Sequence, residues 1–299
     1  MKRTQYTLFS LLMTLFMSQL VYAAPQKHVV IISWDGAKPS VIRSLFRKGH
    51  MPHLHALMKE GAYTLDATTI VPSITLPSHT SMLTGVSPRK HGITWNRYKP
   101  KRGTPKVPTL FKLAKRHKLS TAMIYTKSKF RHIALPGTLD YDLYVLKLAP
   151  TIAKVSTMLM KHATPALLFV HYRDIDNAGH RFGWGNTTTK KPPSPQYIQA
   201  LKTCDKALGQ FVTSLKSSGL WHKTLLIVTA DHGGHDHTHG IKLQDQPIPW
   251  VAAGGLLKRR GPMIIPIKIY DTAPTALKAL GIPIPSWMTG KAIPLFSKK

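Results

Sequence analysis

The chain has 299 residues, 43% of them hydrophobic, and carries 42 Lys+Arg against 12 Asp+Glu, a net charge of +30. That hydrophobic content excludes a disordered tail protein despite the charge, and the length allows one large α/β domain with an ample core. The single cysteine, Cys204, excludes a disulfide scaffold and a cysteine-cluster metal site.

Lys2 and Arg3 precede an apolar run from about Leu8 to Leu20, and Val21-Tyr22-Ala23 offers the small residues of a cleavage site. This predicts a signal peptide over residues 1–23, removed near Ala23 on export to the periplasm or the medium. The run is shorter than the ~20 apolar residues of a spanning helix. Residues 24–299 then form a single domain, with no linker to divide it.

A continuous apolar strand is predicted over 28–34, ending in Asp35-Gly36, as in a parallel sheet buried on both faces. Helices follow around 39–47 and 52–59. Ser73-Ile74-Thr75-Leu76-Pro77-Ser78-His79 opens a short helix that ends near Gly85. A helix over 108–117 leads into a strand over 120–125, and a further strand covers 166–171. The segment 195–217 reads as a long amphipathic helix, with Ile198, Leu201, Leu208, Phe211 and Leu215 on one face. Cys204 lies within it, and burial is its simplest reading. Strands over 224–230 and 248–252 and a helix over 274–280 complete the pattern. The βαβα order predicts a doubly wound α/β fold.

In such folds ligands bind beyond the carboxyl ends of the strands. Asp35 follows the first strand. Asp176 and His180, spaced Asp-x-x-Gly-His, follow the strand at 166–171. Asp231 and His232 follow the strand at 224–230, and His239-Gly240 comes soon after. A lone Asp at a strand end is most simply a helix cap, and the run His232, His235, His237, His239 could be a loose metal-buffering tract. Three strand ends together point instead to carboxylate and imidazole ligands for two ions such as zinc, an arrangement suited to phosphoryl chemistry. A hydroxyl at the helix N-terminus could act as nucleophile, but spacing does not choose among Ser73, Thr75 and Ser78, any of which could merely cap the helix.

These segments together resemble the alkaline phosphatase superfamily, and within it the nucleotide pyrophosphatase/phosphodiesterase family, in particular its short bacterial exported members. The resemblance rests on Val-Val-Ile-Ile-Ser-Trp-Asp-Gly (29–36), Thr-Leu-Pro-Ser-His (75–79), Gly-Val-Ser-Pro-Arg-Lys-His-Gly-Ile-Thr-Trp-Asn (85–96), Asp-Asn-Ala-Gly-His (176–180), Thr-Ala-Asp-His-Gly-Gly (229–234), His-Gly (239–240) and Asp-Thr-Ala-Pro-Thr (271–275), in the family's order. It implies an alkaline-phosphatase-like three-layer αβα sandwich with a mostly parallel central sheet. It implies a phosphodiesterase or pyrophosphatase with Thr75 as nucleophile and two zinc ions. Asp176, His180 and His239 would hold one ion, and Asp35, Asp231 and His232 the other, with the Thr75 oxygen nearby. Asn96, with the Thr75 backbone N–H, would bind phosphate oxygens. In longer members the third histidine lies much farther along the chain, so His235 or His237 could replace His239. The Gly after His239 favours that residue.

Leu76 stands where nucleotide-cleaving members often carry an aromatic for base stacking, so a lipid or glycan phosphodiester is as plausible a substrate as a nucleotide. Tyr172, Trp184 and Trp95 could stack from other loops, or be packing. Phosphomonoesterase activity stays open, whereas a sulfatase is disfavoured because Thr75 holds the place of the modifiable cysteine or serine. The basic excess suits an anionic substrate or an anionic envelope surface. No nucleic-acid module is recognisable, and a cationic envelope-binding protein without turnover is the reading from another class. Lys127 and Lys129 follow a strand and could reach an anionic substrate, but a solvated loop is the default reading.

Overall fold

The computed structural model describes residues 26–296. The expected signal peptide lies outside the described residues. Among the described residues no helix is long and apolar enough to cross a membrane.

The centre of the molecule is an eight-stranded sheet in the order β4-β3-β5-β1-β6-β7-β2-β8. These strands are β1 (His28–Trp34), β2 (Ala62–Thr68), β3 (Thr121–Tyr125), β4 (Tyr141–Tyr144), β5 (Leu167–Tyr172), β6 (Thr224–Thr229), β7 (Pro247–Ala253) and β8 (Gly261–Pro262). Strands β4, β3, β5, β1 and β6 run parallel, while β7 is antiparallel to both β6 and β2. No α-helix crosses between β6 and β7, so the chain turns back instead of crossing over. Every residue of β1, β3, β5 and β6 is buried, which accounts for their unbroken apolar runs.

The helices are α1 (Pro39–Arg47), α2 (Pro52–Glu60), α3 (Thr75–Thr84), α4 (Pro88–His91), α5 (Leu110–Arg116), α6 (Ala149–His162), α7 (Asp174–Phe182), α8 (Pro195–Ser217) and α9 (Thr272–Leu280). They form two layers. Helices α2, α6 and α7 pack on α8 on one side, and α3, α5 and α9 pack together on the other. The long helix α8 buries Leu201, Leu208, Phe211 and Leu215 as its spacing predicts, together with Cys204. Strands β2 and β4 and helices α6 and α7 escape the sequence pattern. The burial of β2 is irregular, β4 is largely exposed, and α7 has more polar than apolar residues and contains Gly179.

Strand β1 is flanked by β5 and β6, neither its neighbour in sequence, so the sheet order switches there. Ser33 pairs with both His171 and Thr229. The three strands therefore end flush, and whatever follows them meets at one edge of the sheet.

Candidate active site

Asp35 leaves β1, Asp231 and His232 leave β6, and Asp176 sits in the first turn of α7 beyond β5. None of Asp35, Asp231 and His232 has any exposed surface, and Asp176 is 3% exposed. His232 Nε2 lies 3.4 Å from Asp35 Oδ1 and 3.2 Å from Asp231 Oδ2. Asp35 Oδ1, Asp176 Oδ1, Asp231 Oδ2 and His232 Nε2 are all buried without a hydrogen-bond partner. Such orphaned polar atoms are costly, and four converging at one place fit a cation. Two groups bring ligand atoms within 4.8 Å of one another: Asp176, His180 and His239, and Asp35, Asp176 and His232. The first is the set expected from sequence. In the second, Asp176 joins Asp35 and His232, with Asp231 alongside.

The three histidines share one orientation. Nδ1 of His180 faces the carbonyl oxygen of His237 at 3.0 Å, that of His232 faces Gly233 at 2.8 Å, and that of His239 faces Ser73 at 2.7 Å. A carbonyl oxygen only accepts, so each Nδ1 carries the proton and each Nε2 presents its lone pair to the carboxylates. Burial pushes the His239 imidazole down to about 3 and lowers His232 as well, which keeps both neutral.

His235 and His237 are placed elsewhere. His235 Nδ1 bonds Asp245 Oδ1 at 2.7 Å, and His237 is exposed. Asp245, fully buried, also accepts Gly240 N–H at 2.8 Å through Oδ2, and its backbone carbonyl accepts Gly233 N–H at 2.7 Å. One residue thus ties both ends of the loop between His232 and His239, whose rings stack 3.6 Å apart. Behind them lies Trp184, fully buried, with ring centroids 4.9 Å from His180 and 5.8 Å from His239. A Cβ on Gly179 or Gly234 would come within 2.2 or 2.4 Å of that indole, which explains the glycines in both motifs. Tyr172 is also fully buried, so neither ring is free to stack on a base; Trp95 is half-buried beneath Arg102.

Helix α3 is buried over its whole length and begins at Thr75. Its N-cap residue is Ile74, with no side-chain cap. The Ser73 hydroxyl donates to Ile70 O at 3.0 Å, and Ser78 Oγ accepts from Thr69 at 3.2 Å. Capping is therefore the role of none of the three hydroxyls. The segment before Thr75 is stitched to the histidine loop by Ser73 N–H to Gly240 O at 2.6 Å and by His239 to Ser73 O. His79, one turn on, bonds Thr75 O at 2.8 Å and Ser33 Oγ at 2.8 Å, and its Nδ1 lies 3.4 Å from Asp231 Oδ2. Asn96 Oδ1 accepts the Leu76 N–H at 2.9 Å, which places it at the N-terminus of α3.

Lys127 corrects the reading of its segment as a solvated loop. Its Nζ lies 2.5 Å from both Asp35 Oδ2 and Asp176 Oδ2, with 15% of the side chain exposed. Burial alone would lower the Lys127 pKa, but the two carboxylates raise it above the ordinary lysine range. Burial would likewise raise Asp35, yet Lys127 and His171 hold it well below the usual carboxylate range. Asp231 lacks such a partner, and burial and then the Asp35 charge push it well above that range. His171 Nε2 donates to Asp35 Oδ2 at 2.8 Å while its Nδ1 meets Thr126 Oγ1 at 2.7 Å. Sequence reasoning missed His171, Asp245, the role of His79 and the pairing of Lys127 with Asp35 and Asp176. Only His79 carried a signal, four residues after Thr75 on a helix and inside the quoted motif.

The family model for type I phosphodiesterase / nucleotide pyrophosphatase matches residues 29–251. Human ectonucleotide pyrophosphatase/phosphodiesterase family member 5 is 26% identical over 229 residues, covering 70% of this chain and 45% of the relative. The Xenopus laevis bis(5'-adenosyl)-triphosphatase enpp4 is 24% identical over 224 residues, covering 69% of this chain and 46% of the relative. The chain thus spans about half the length of these curated relatives. Among solved structures, human ENPP5 superposes with a TM-score of 0.70 at 16% identity, covering 89% of this chain and 97% of that one. Murine ENPP5, solved as an inactive threonine-to-alanine variant in complex with AMP, gives 0.68 at 16%, covering 87% and 96%. BT1596, a 2-O GAG sulfatase, gives 0.73 at 13%, covering 92% and 75%. These likenesses carry the alkaline-phosphatase-like fold, and the family match over most of the described chain carries more: this protein belongs to the type I phosphodiesterase / nucleotide pyrophosphatase family.

Proposed function

We propose that the chain is an exported phosphoric ester hydrolase that cleaves phosphodiester or pyrophosphate bonds through Thr75 and two divalent metal ions, zinc by the chemistry of the ligands. The observation that carries this is the convergence of four orphaned, buried carboxylate and imidazole atoms beside the N-terminus of the helix that begins at Thr75. Asp176, His180 and His239 would hold one ion, and Asp35, Asp231 and His232 the other. Ions bound there would make the threonine oxygen more nucleophilic and stabilise charge on the departing oxygen.

The protein's own groups do the rest. Thr75 Oγ1 forms a bond to phosphorus as the leaving-group oxygen departs on the opposite side, and water then opens the phosphothreonine. The Asn96 carboxamide nitrogen and the Thr75 backbone N–H hold the non-bridging oxygens where negative charge develops; the Leu76 N–H is given to Asn96 Oδ1 and Pro77 has none. His79 holds the Thr75 carbonyl and so fixes the first turn of the helix. The names of the relatives, a bis(5'-adenosyl)-triphosphatase and a protein in complex with AMP, support a phosphoester substrate. The basic residues, apolar run and small residues of 1–23 support export to the periplasm or medium, where the basic surface would face an anionic envelope.

The test is hydrolysis of bis(p-nitrophenyl) phosphate, with p-nitrophenyl phosphate alongside, by zinc-loaded wild type and Thr75→Ala. The expected result is turnover of the diester by wild type and a loss of at least about 1000-fold in kcat in the variant, with zinc content unchanged. Near-full activity of Thr75→Ala would remove the nucleophile assignment. A wild type that binds no metal and cleaves neither ester would favour a cationic binding protein.

A further inference from the structure

Strands β2, β4 and β6 all run in the direction of β1, so the chain that follows each emerges at the edge of the sheet where the candidate ligands meet. Each exit carries aliphatic residues into solvent. Val71 follows β2 and is 53% exposed. Leu146 and Leu148 follow β4 and are 54% and 53% exposed. Ile241 and Leu243, in the loop after β6, are 77% and 82% exposed. A lone exposed aliphatic residue is ordinary, whereas five at the exits of one sheet edge mark an interaction surface.

These residues flank the candidate active site. Thr69 N–H donates to Gln246 O at 3.0 Å and Ser73 N–H to Gly240 O at 2.6 Å, so Val71 lies along the segment that carries Ile241 and Leu243, directly after the candidate ligand His239. Leu146 lines one cavity with Asn96 and Lys127, and Lys127 pairs with Asp35 and Asp176. The first group thus borders the outer ligand set, and the second borders the Asn96 side.

The charges among them have one sign. Leu146-Lys147-Leu148 and Ile241-Lys242-Leu243 each set an exposed lysine between two exposed aliphatic residues, and segments 70–73, 145–148 and 240–244 contain no Asp or Glu. The loop 97–102, which reaches the same cavity through Arg97 and Tyr98, adds exposed Lys99, Lys101 and Arg102, again without an acid. A second copy docked face to face would oppose these cations to one another. An anionic bilayer is complementary on both counts: its head groups take the cations, and its acyl boundary takes the aliphatic side chains.

We propose that the protein docks its active-site face on an anionic phospholipid bilayer, through the aliphatic side chains of these three exits, with Lys147 and Lys242 at the head groups. Docked in this way, the candidate site opens toward the membrane. The proposal rests on the reading above of export to an anionic envelope, with residues 1–23 removed, and names the face that meets it.

Co-sedimentation with vesicles tests it, using zinc-loaded protein recovered after export, its N-terminus read by mass spectrometry. Wild type should partition onto vesicles of equal parts phosphatidylglycerol and phosphatidylcholine at least about 10-fold more strongly than onto phosphatidylcholine alone. The double variants Leu146→Ser/Leu148→Ser and Ile241→Ser/Leu243→Ser should each lose about 10-fold of that binding, and either pair carries the test if the other folds poorly. Met158, 62% exposed toward the far end of α6, supplies the control: Met158→Ser should bind as wild type does. A wild type that ignores the anionic vesicles overturns the proposal. So does binding that both double variants retain, because the general basic charge would then account for it. Retention of residues 1–23 would remove the cleavage on which the proposal rests. Binding is read without turnover, so an inactive wild type would count against the phosphoesterase reading alone.

Discussion

The two candidate ligand sets are built by different means. Asp35, Asp231 and His232 follow strands that are hydrogen-bonded in register at the centre of the sheet, and all three are wholly buried. Asp176, His180 and His239 stand on a short helix and a loop, and 47% of the His180 side chain is exposed. Sheet register positions the inner set. Individual hydrogen bonds from Ser73, His237 and Asp245 position the outer one. The inner set should therefore be formed before any ion arrives, whereas the outer set should depend on its supports and exchange its ion first.

Lys127 joins the two sets, so its removal should have the largest effect on stability. In metal-free protein, Lys127→Met leaves two buried carboxylates without their shared ammonium, a loss of about 3 kcal/mol or more. Chemical denaturation with and without zinc measures it. The deficit should shrink sharply in zinc, and an equal deficit in both conditions would mean that Lys127 is packing and not charge compensation.

His91 supplies a control away from the ligands. Burial lowers its pKa to about 4; its Nδ1 accepts Ile93 N–H at 3.0 Å and its Nε2 meets Ser81 Oγ at 3.0 Å. The unfolded chain then binds the extra proton between pH 6.5 and about 4, so stability is lost as pH falls through that window, by about 3 kcal/mol. In zinc-loaded protein above the pH at which zinc is released, His91→Asn should flatten the acid side of the Tm–pH curve. If it does not, acid sensitivity comes from the ligand histidines and the inner set is less protected than its burial indicates.

The smallest effect tests the loop support directly. Asp245→Ala should weaken binding of one zinc ion by about 10- to 100-fold, as for other groups that orient a ligand, and leave the second unaffected. Zinc release against a graded chelator series reads both ions. Equal weakening of the two would break the distinction between a sheet-held and a loop-held set.

Much of this was legible in the sequence because the motifs sit where strands stop. The apolar runs of β1, β5 and β6 announce buried parallel strands, and the acids directly after them can only lie at the carboxyl edge. The outer histidine was less legible. His235, His237 and His239 are alike by spacing, with only the following Gly240 favouring His239; the Asp245 bond to His235 and the Ser73 bond to His239 separate them in the fold. Strands β2 and β4 and helix α7 were hidden because their patterns are weak and their partners come from distant parts of the chain.

The sequence alone determined the α/β class, the order of the candidate ligand residues and a threonine near a helix start, because these depend on local pattern and on order along the chain. Only the tertiary structure decided that Lys127 sits between Asp35 and Asp176 and that Trp184 backs the outer histidines. A lysine after a strand has the same local pattern whether it ends in water or between carboxylates. Which occurs depends on burial and on charges brought together from strands far apart in the chain.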